Sequence, residues 1–178
     1  MKQIILKAKL ENRDNFEDQL SRANLDFTPI YWQHDRIYVP RNYRPNQNYP
    51  RLIMRTDLHA IDEQPTYSLI LRRHIEDSGV DIVEKTPVTD YVSTVNIIMQ
   101  LGFEQIAEVS RRRQELKLEE EGSIIYLDDI DGRDDEHYVK IEADLRDTDS
   151  VAKVKSDLEK TLRAFGESNF VNKPYFEL

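Results

Sequence analysis

Apolar and polar positions alternate with two periods along this chain, and the switches between them mark its elements. Residues 2–10, KQIILKAKL, predict a strand: from Ile5 onward Ile5, Lys7 and Lys9 alternate with Leu6, Ala8 and Leu10. Asn12 or Asp14 can cap a helix reaching about Asn24, with Phe16, Leu20 and Ala23 as its apolar stripe. Residues 30–39 read as a second strand. Residues 51–57 and 66–74 read as a strand pair, and residues 80–85 as a short strand after the Ser78-Gly79 turn. Thr89-Asp90 opens a helix to about Leu101, with Tyr91, Val95, Ile98 and Met99 inward and Gly102 at its C-terminal stop. Strands follow at 105–118, 123–129 and 137–144. Ser150 caps a last helix to about Phe165, whose inward stripe is Val151, Val154, Leu158 and Leu162.

The order β-α-β-β-β-β-α-β-β-β-α, plus a tail, lacks the rhythm of covering helices that a parallel sheet needs. It predicts an α+β protein, a mostly antiparallel sheet or barrel with flanking helices, in one domain over 1–178. The stretch 40–50 carries three prolines and reads as a loop or flap.

Charge changes the picture locally. The 34 acids and 25 bases give a net charge of −9, and residues 114–148 hold 13 acids against four bases, which is the whole excess. The balanced remainder argues against a general nucleic-acid binder, so no DNA partner is expected. There is no cysteine, which excludes thiolate catalysis, disulfides and cysteine zinc sites. No apolar run suits a signal peptide or approaches a bilayer span, so a soluble, cytoplasmic protein with no membrane partner is expected.

The chemistry lies in the charged half of each alternation. Lys7 and Lys9 share one strand face. Arg111, Arg113, Glu115 and Lys117 share another, Tyr138, Lys140 and Glu142 a third, and Arg55 and Arg72 add cations on neighbouring strands. One reading is a sheet with a solvated face. The other is a barrel whose charged faces point into its lumen, where the cations repel unless carboxylates or a polyanion neutralise them. Arginine's planar fork and lysine's point charge both suit phosphate. Carboxylates among them would hold Mg²⁺ or Mn²⁺ bridging phosphates.

In this setting the sequence resembles the CYTH superfamily, the triphosphate tunnel enzymes that include class IV adenylyl cyclases and thiamine triphosphatases. QIILKAKL looks like the E-x-E-x-K start, with Lys7 at its lysine. QHDRIYV at 33–39 looks like Q-x-D-x-Y, RLIMR at 51–55 is similar to L-R-I-R, and LILR at 69–72 falls where the family has a strand ending in lysine. LGF at 101–103, RRRQEL at 111–116, LDDIDG at 127–132, VKIEAD at 139–144 and PYFEL at the end are similar to further segments in the same order. The resemblance implies an antiparallel eight-stranded triphosphate-tunnel-like β-barrel with flanking helices. It also implies metal-dependent attack on a triphosphate, with Mg²⁺ or Mn²⁺ as cofactor and a small-molecule triphosphate or nucleotide as partner. Lys7, Arg55, Arg72, Arg111 and Arg113 fall against the phosphates, with Lys9 added by alternation and Lys140 beside them. Glu142 and Asp128 fall at catalytic and metal-holding positions, and Glu84 and Glu115 are further metal candidates.

The departures bear on activity. The family's leading glutamates are Gln3 and Ile5 here, the first glutamate of E-I-E is Lys140, and the first arginine of L-R-I-R is Ile53. Carboxylates hold the ions of two-metal catalysis, so with three lost the remaining set could hold one metal, less readily two. Three readings remain: a cyclase or triphosphatase, a degenerate triphosphate-, polyphosphate- or nucleotide-binding module, and a structural domain with an unused lumen. Each suits a monomer or a homodimer. His34, His59, His74 and His137 show no zinc spacing, and the chain has no P-loop, no dinucleotide fingerprint and no nucleophile elbow.

Overall fold

The computed structural model describes residues 1–44, 49–60, 63–75, 78–119 and 122–177. Its elements are β1 (Lys2–Lys9), α1 (Arg13–Arg22), β2 (Tyr31–Pro40), β3 (Arg51–Leu58), β4 (Thr66–Ile75), β5 (Val80–Val88), α2 (Tyr91–Gln100), β6 (Phe103–Leu118), β7 (Ser123–Ile130), β8 (His137–Asp144), α3 (Val151–Ala164) and a 3-10 turn, Tyr175–Glu177. The strands close into an antiparallel barrel in the order β1-β5-β4-β3-β2-β6-β7-β8, with β8 returning to β1. No helix among the described residues is long and apolar enough to cross a membrane.

Local chemistry sets the helix ends. Asn12, Asp90 and Ser150 each accept a hydrogen bond from a backbone N–H of the first turn, at Asn15, Ser93 and Lys153 respectively. Gly102 follows the end of α2 at φ 87°, a conformation that glycine adopts without Cβ strain. Strand β5 runs three residues past its expected end and includes Pro87. It pairs with β1 only through Val80, Asp81 and Ile82, so proline's missing N–H costs no ladder bond on that side.

The helices decide which strand face is inside. Helices α1 and α3 bury Phe16, Leu20, Leu158 and Leu162 against Ile4, Ala8, Ile125, Leu127, Val139 and Ile141 on β1, β7 and β8. Helix α2 buries Ile98 against Tyr38 and Met54. Of the residues expected inward on α2, Met99 is instead 50% exposed, and Ile98 alone is fully buried. Ala23 likewise is exposed, because α1 ends before it. Every apolar strand face in these clusters looks outward to a helix, so the alternate, charged residues turn into the lumen. The solvated-face reading is thereby corrected: Arg111 and Arg113 are only 3% and 2% exposed.

Candidate functional site

The lumen holds a cavity of about 510 Å³. Its floor comes from register. Lys7 on β1 stands opposite Lys140 on β8; Tyr126 on β7 stands opposite Lys140; Arg113 on β6 stands opposite Asp128 on β7; and Arg55 on β3 stands opposite Asp35 on β2. Period-two alternation then aims the whole set at one space.

Seven strand cations line that cavity: Lys7, Arg51, Arg55, Arg72, Arg111, Arg113 and Lys140. Four carboxylates pair with them. Arg55 grips Asp35 through Nε and Nη2 at 2.7 and 2.9 Å, and Arg111 Nη2 reaches Asp35 Oδ2 at 2.5 Å. Arg111 also donates to Gln33 Oε1. Arg113 donates twice to Asp128, at 2.6 Å each. Lys140 Nζ donates to Glu142 Oε2 at 2.8 Å and lies 4.0 Å from the centre of the Tyr126 ring, while Tyr126 donates to Glu142 Oε1 at 2.8 Å. Arg72 stands 3.8 Å from Asp81 Oδ2, and its buried Nε makes no hydrogen bond among the described residues.

The electrostatics follow from crowding. Burial, then repulsion from Arg72 and Arg51, pulls Lys7 down to about 8. Burial, with repulsion from Arg113 and Arg72, outweighs the pull of Glu142 and brings Lys140 down to about 7. Burial would raise the carboxyls, but the neighbouring cations more than offset it. Asp128 is held at about 2 by Arg113, Glu142 at about 2 chiefly by Lys140, and Asp35 far below the carboxylate range by Arg111 and Arg55. At neutral pH these three carboxylates are ionised, and Lys140 and Lys7 are lysines brought within reach of titration.

The C-terminal segment closes one mouth. Residues 169–171 pair with β1: Lys9 N–H donates to the Asn169 carbonyl, and Val171 N–H to the Lys7 carbonyl. The 3-10 turn then enters the lumen. Tyr175 donates its hydroxyl to Asp128 Oδ2 at 2.8 Å, and its ring lies 4.9 Å from Lys7 Nζ and 5.6 Å from the Arg111 guanidinium. Lys7 Nζ donates to the Lys173 carbonyl, and Phe176 sits 5.6 Å from Arg51.

Of the expected site residues, Lys7, Arg55, Arg72, Arg111, Arg113, Lys140, Asp128 and Glu142 meet in or against this lumen. Lys9 stands at its rim, paired with Glu136 at 2.6 Å. Glu115 stands opposite Tyr126 and is not part of the cavity wall. Glu84 is a correction. It stands opposite Leu71 on the outer face, 66% exposed, with the N-terminal amine 2.6 Å away. The sequence reading missed Gln33, Asp35, Arg51, Asp81, Tyr126 and Tyr175. The first two sit in QHDRIYV, whose alternation places them with Ile37. Tyr175 has no such signal, because a tail carries no period.

Divalent metal fits this donor set poorly. Asp35, Asp128 and Glu142 each hold a cation on at least one oxygen and a further hydrogen bond beside it, and no group of three metal-capable side chains comes together among the described residues.

No family model and no curated protein matches this chain. Solved structures do. A protein from Pyrococcus horikoshii OT3 superposes with a TM-score of 0.82 at 20% identity, covering 98% of this chain and 96% of its own. A candidate adenylate cyclase from Vibrio parahaemolyticus gives 0.79 at 19% identity, covering 98% and 95%. A candidate adenylyl cyclase from Hippeastrum, described as having a dominant triphosphatase activity, gives 0.62 at 15% identity, covering 99% and 94%. The chain shares the triphosphate-tunnel-like barrel fold of these structures. The charged lumen is the tunnel, and the C-terminal turn stands in its mouth.

Proposed function

We propose that the tunnel binds a small molecule carrying a triphosphate, such as a nucleotide or inorganic triphosphate. One observation carries this reading: seven strand cations and Lys155 of α3 line one cavity, and the carboxylates paired with them, Asp35, Asp81, Asp128 and Glu142, leave positive charge uncompensated. Such an excess in a low-dielectric space is unfavourable alone and favourable with a polyanion. The buried Nε of Arg72, which makes no hydrogen bond among the described residues, adds a donor to the same space.

The carboxylates support binding rather than turnover, because each is engaged with a cation. A second reading, metal-assisted hydrolysis or cyclisation with Mg²⁺ or Mn²⁺, is favoured by the activities named for the Vibrio and Hippeastrum neighbours. Fold alone does not fix activity.

The test has two parts. Titration calorimetry with inorganic triphosphate, ATP and thiamine triphosphate is expected to show saturable binding that weakens as salt rises. Chromatography after incubation with Mg²⁺ or Mn²⁺ is expected to return each compound unchanged. Orthophosphate or cyclic AMP as product would establish the second reading. Absence of binding by all three compounds would remove both.

A further inference from the structure

We propose that the tunnel binds its polyphosphate without a divalent cation, the Lys140 ammonium standing as the resident cation. This rests on the polyphosphate reading above and narrows it.

Mg²⁺ and Mn²⁺ bridge phosphates by taking oxygens from one or more carboxylates that face the ligand. The tunnel offers four such groups, and none is disengaged. Asp35 accepts from Arg55 on both oxygens and from Arg111 on one. Asp128 accepts from Arg113 on both and from Tyr175 on one. Glu142 divides its oxygens between Tyr126 and Lys140. Asp81 has His74 Nδ1 at 2.8 Å on one oxygen and Arg72 at 3.8 Å on the other. A metal entering at Asp35 or Asp128 must displace a guanidinium and leave it buried and unpaired, a costly exchange.

Lys140 sets a single positive charge in that space, which a bound polyanion would keep protonated. Its Nζ is buried, is fixed by Glu142 at 2.8 Å, and lies over Tyr126 at 4.0 Å. An ammonium has three donors, and Glu142 uses one. Lys7 stands opposite it in register, and Arg72 and Arg113 lie near enough to repel it. The excess of cations suits the several negative charges of a free-ended triphosphate. Prior neutralisation of that ligand by Mg²⁺ removes charge that the tunnel is built to meet.

The experiment is calorimetric titration of inorganic triphosphate into the full-length protein under three conditions: with EDTA, with excess Mg²⁺ and with excess Mn²⁺. Binding in EDTA at least as tight as with either metal is the expected result. Binding that requires metal, or that metal tightens about tenfold or more, a gain of about 1.4 kcal/mol, overturns the proposal and leaves the polyphosphate reading standing. No binding in any condition overturns that reading, and the proposal falls with it. Lys140→Met is expected to lower affinity in EDTA by roughly 30-fold or more without rescue by Mg²⁺. Rescue by Mg²⁺ would count against Lys140. Lys140→Glu, which sets a second carboxylate beside Glu142, is expected to lose binding in EDTA and regain part of it with Mn²⁺. Circular dichroism checks that both variants fold, and the wild-type comparison decides the matter if they do not.

Discussion

Arg113 and Asp128 face each other across β6 and β7 through two parallel hydrogen bonds of 2.6 Å, in a place that water does not reach. Breaking such a pair from one side leaves a buried charge with no partner. Asp128→Asn is therefore expected to destabilise the protein by about 3 to 5 kcal/mol. Replacing both residues together, as Arg113→Met with Asp128→Leu, is expected to cost clearly less. Urea denaturation of the two variants checks this; equal losses would mean that the pair is not dry.

The buried carboxyls set the acid limit. Asp128 and Glu142 are held at about 2, and Asp35 is lowered further, whereas the unfolded chain titrates them near its ordinary values. Groups lowered in the folded state contribute stability above about pH 4 that is lost as pH falls toward 2. The urea midpoint is expected to drop steeply between about pH 5 and pH 2. A flat profile there would show that these carboxyls are not engaged in solution.

Lys140, at about 7, and Lys7, at about 8, predict two opposed alkaline trends. Lys140 faces Glu142 on its own strand, Lys7 on β1, Tyr126 and Asp128 on β7, Arg113 on β6 and Arg72 on β4. An unfolded lysine keeps its proton to about pH 10, so between about pH 7 and pH 10 the unfolded state binds more protons than the folded one. Stability of the free protein then rises with pH. Affinity for triphosphate falls over the same window, because binding needs the charge that is being lost. Thermal melts and titrations across pH 6 to about 9 read both slopes.

A polyanion bound in the lumen would meet cations that Tyr175 already covers. The ring covers Lys7 and Arg111, and its hydroxyl sits on Asp128. Tyr175→Ala is expected to tighten triphosphate binding by roughly fivefold to tenfold while lowering the melting temperature, since two cation–π contacts are lost from the free state alone. Weaker binding in this variant would make the ring part of the ligand's pocket.

Much of the fold was legible because alternation is a strong signal. All eight strands and three helices lie close to their expected ranges. The same alternation also put Arg111 and Arg113 together, and Lys140 with Glu142, on single faces. It could not say whether those faces met water or one another, because that depends on closure of β8 onto β1, a pairing between residues far apart in sequence. Glu84 came from the family resemblance rather than from alternation, and on β5 it stands opposite Leu71 on the outer face. Met99 failed because one turn of α2 has more apolar residues than α2 has neighbours to cover.

The pairing of residues 169–171 with β1 matters for more than the ligand. Strand β1 is held by β5 only from Lys2 to Ile4, so its second half shows the Lys7 carbonyl and the Lys9 N–H to whatever lies alongside. Here that neighbour is the chain's own tail, through Ala8 opposite Phe170. Exposed strand edges recruit strands from other molecules. By covering this seam, residues 169–171 take up the backbone groups that β1 would otherwise offer to a strand of a second copy.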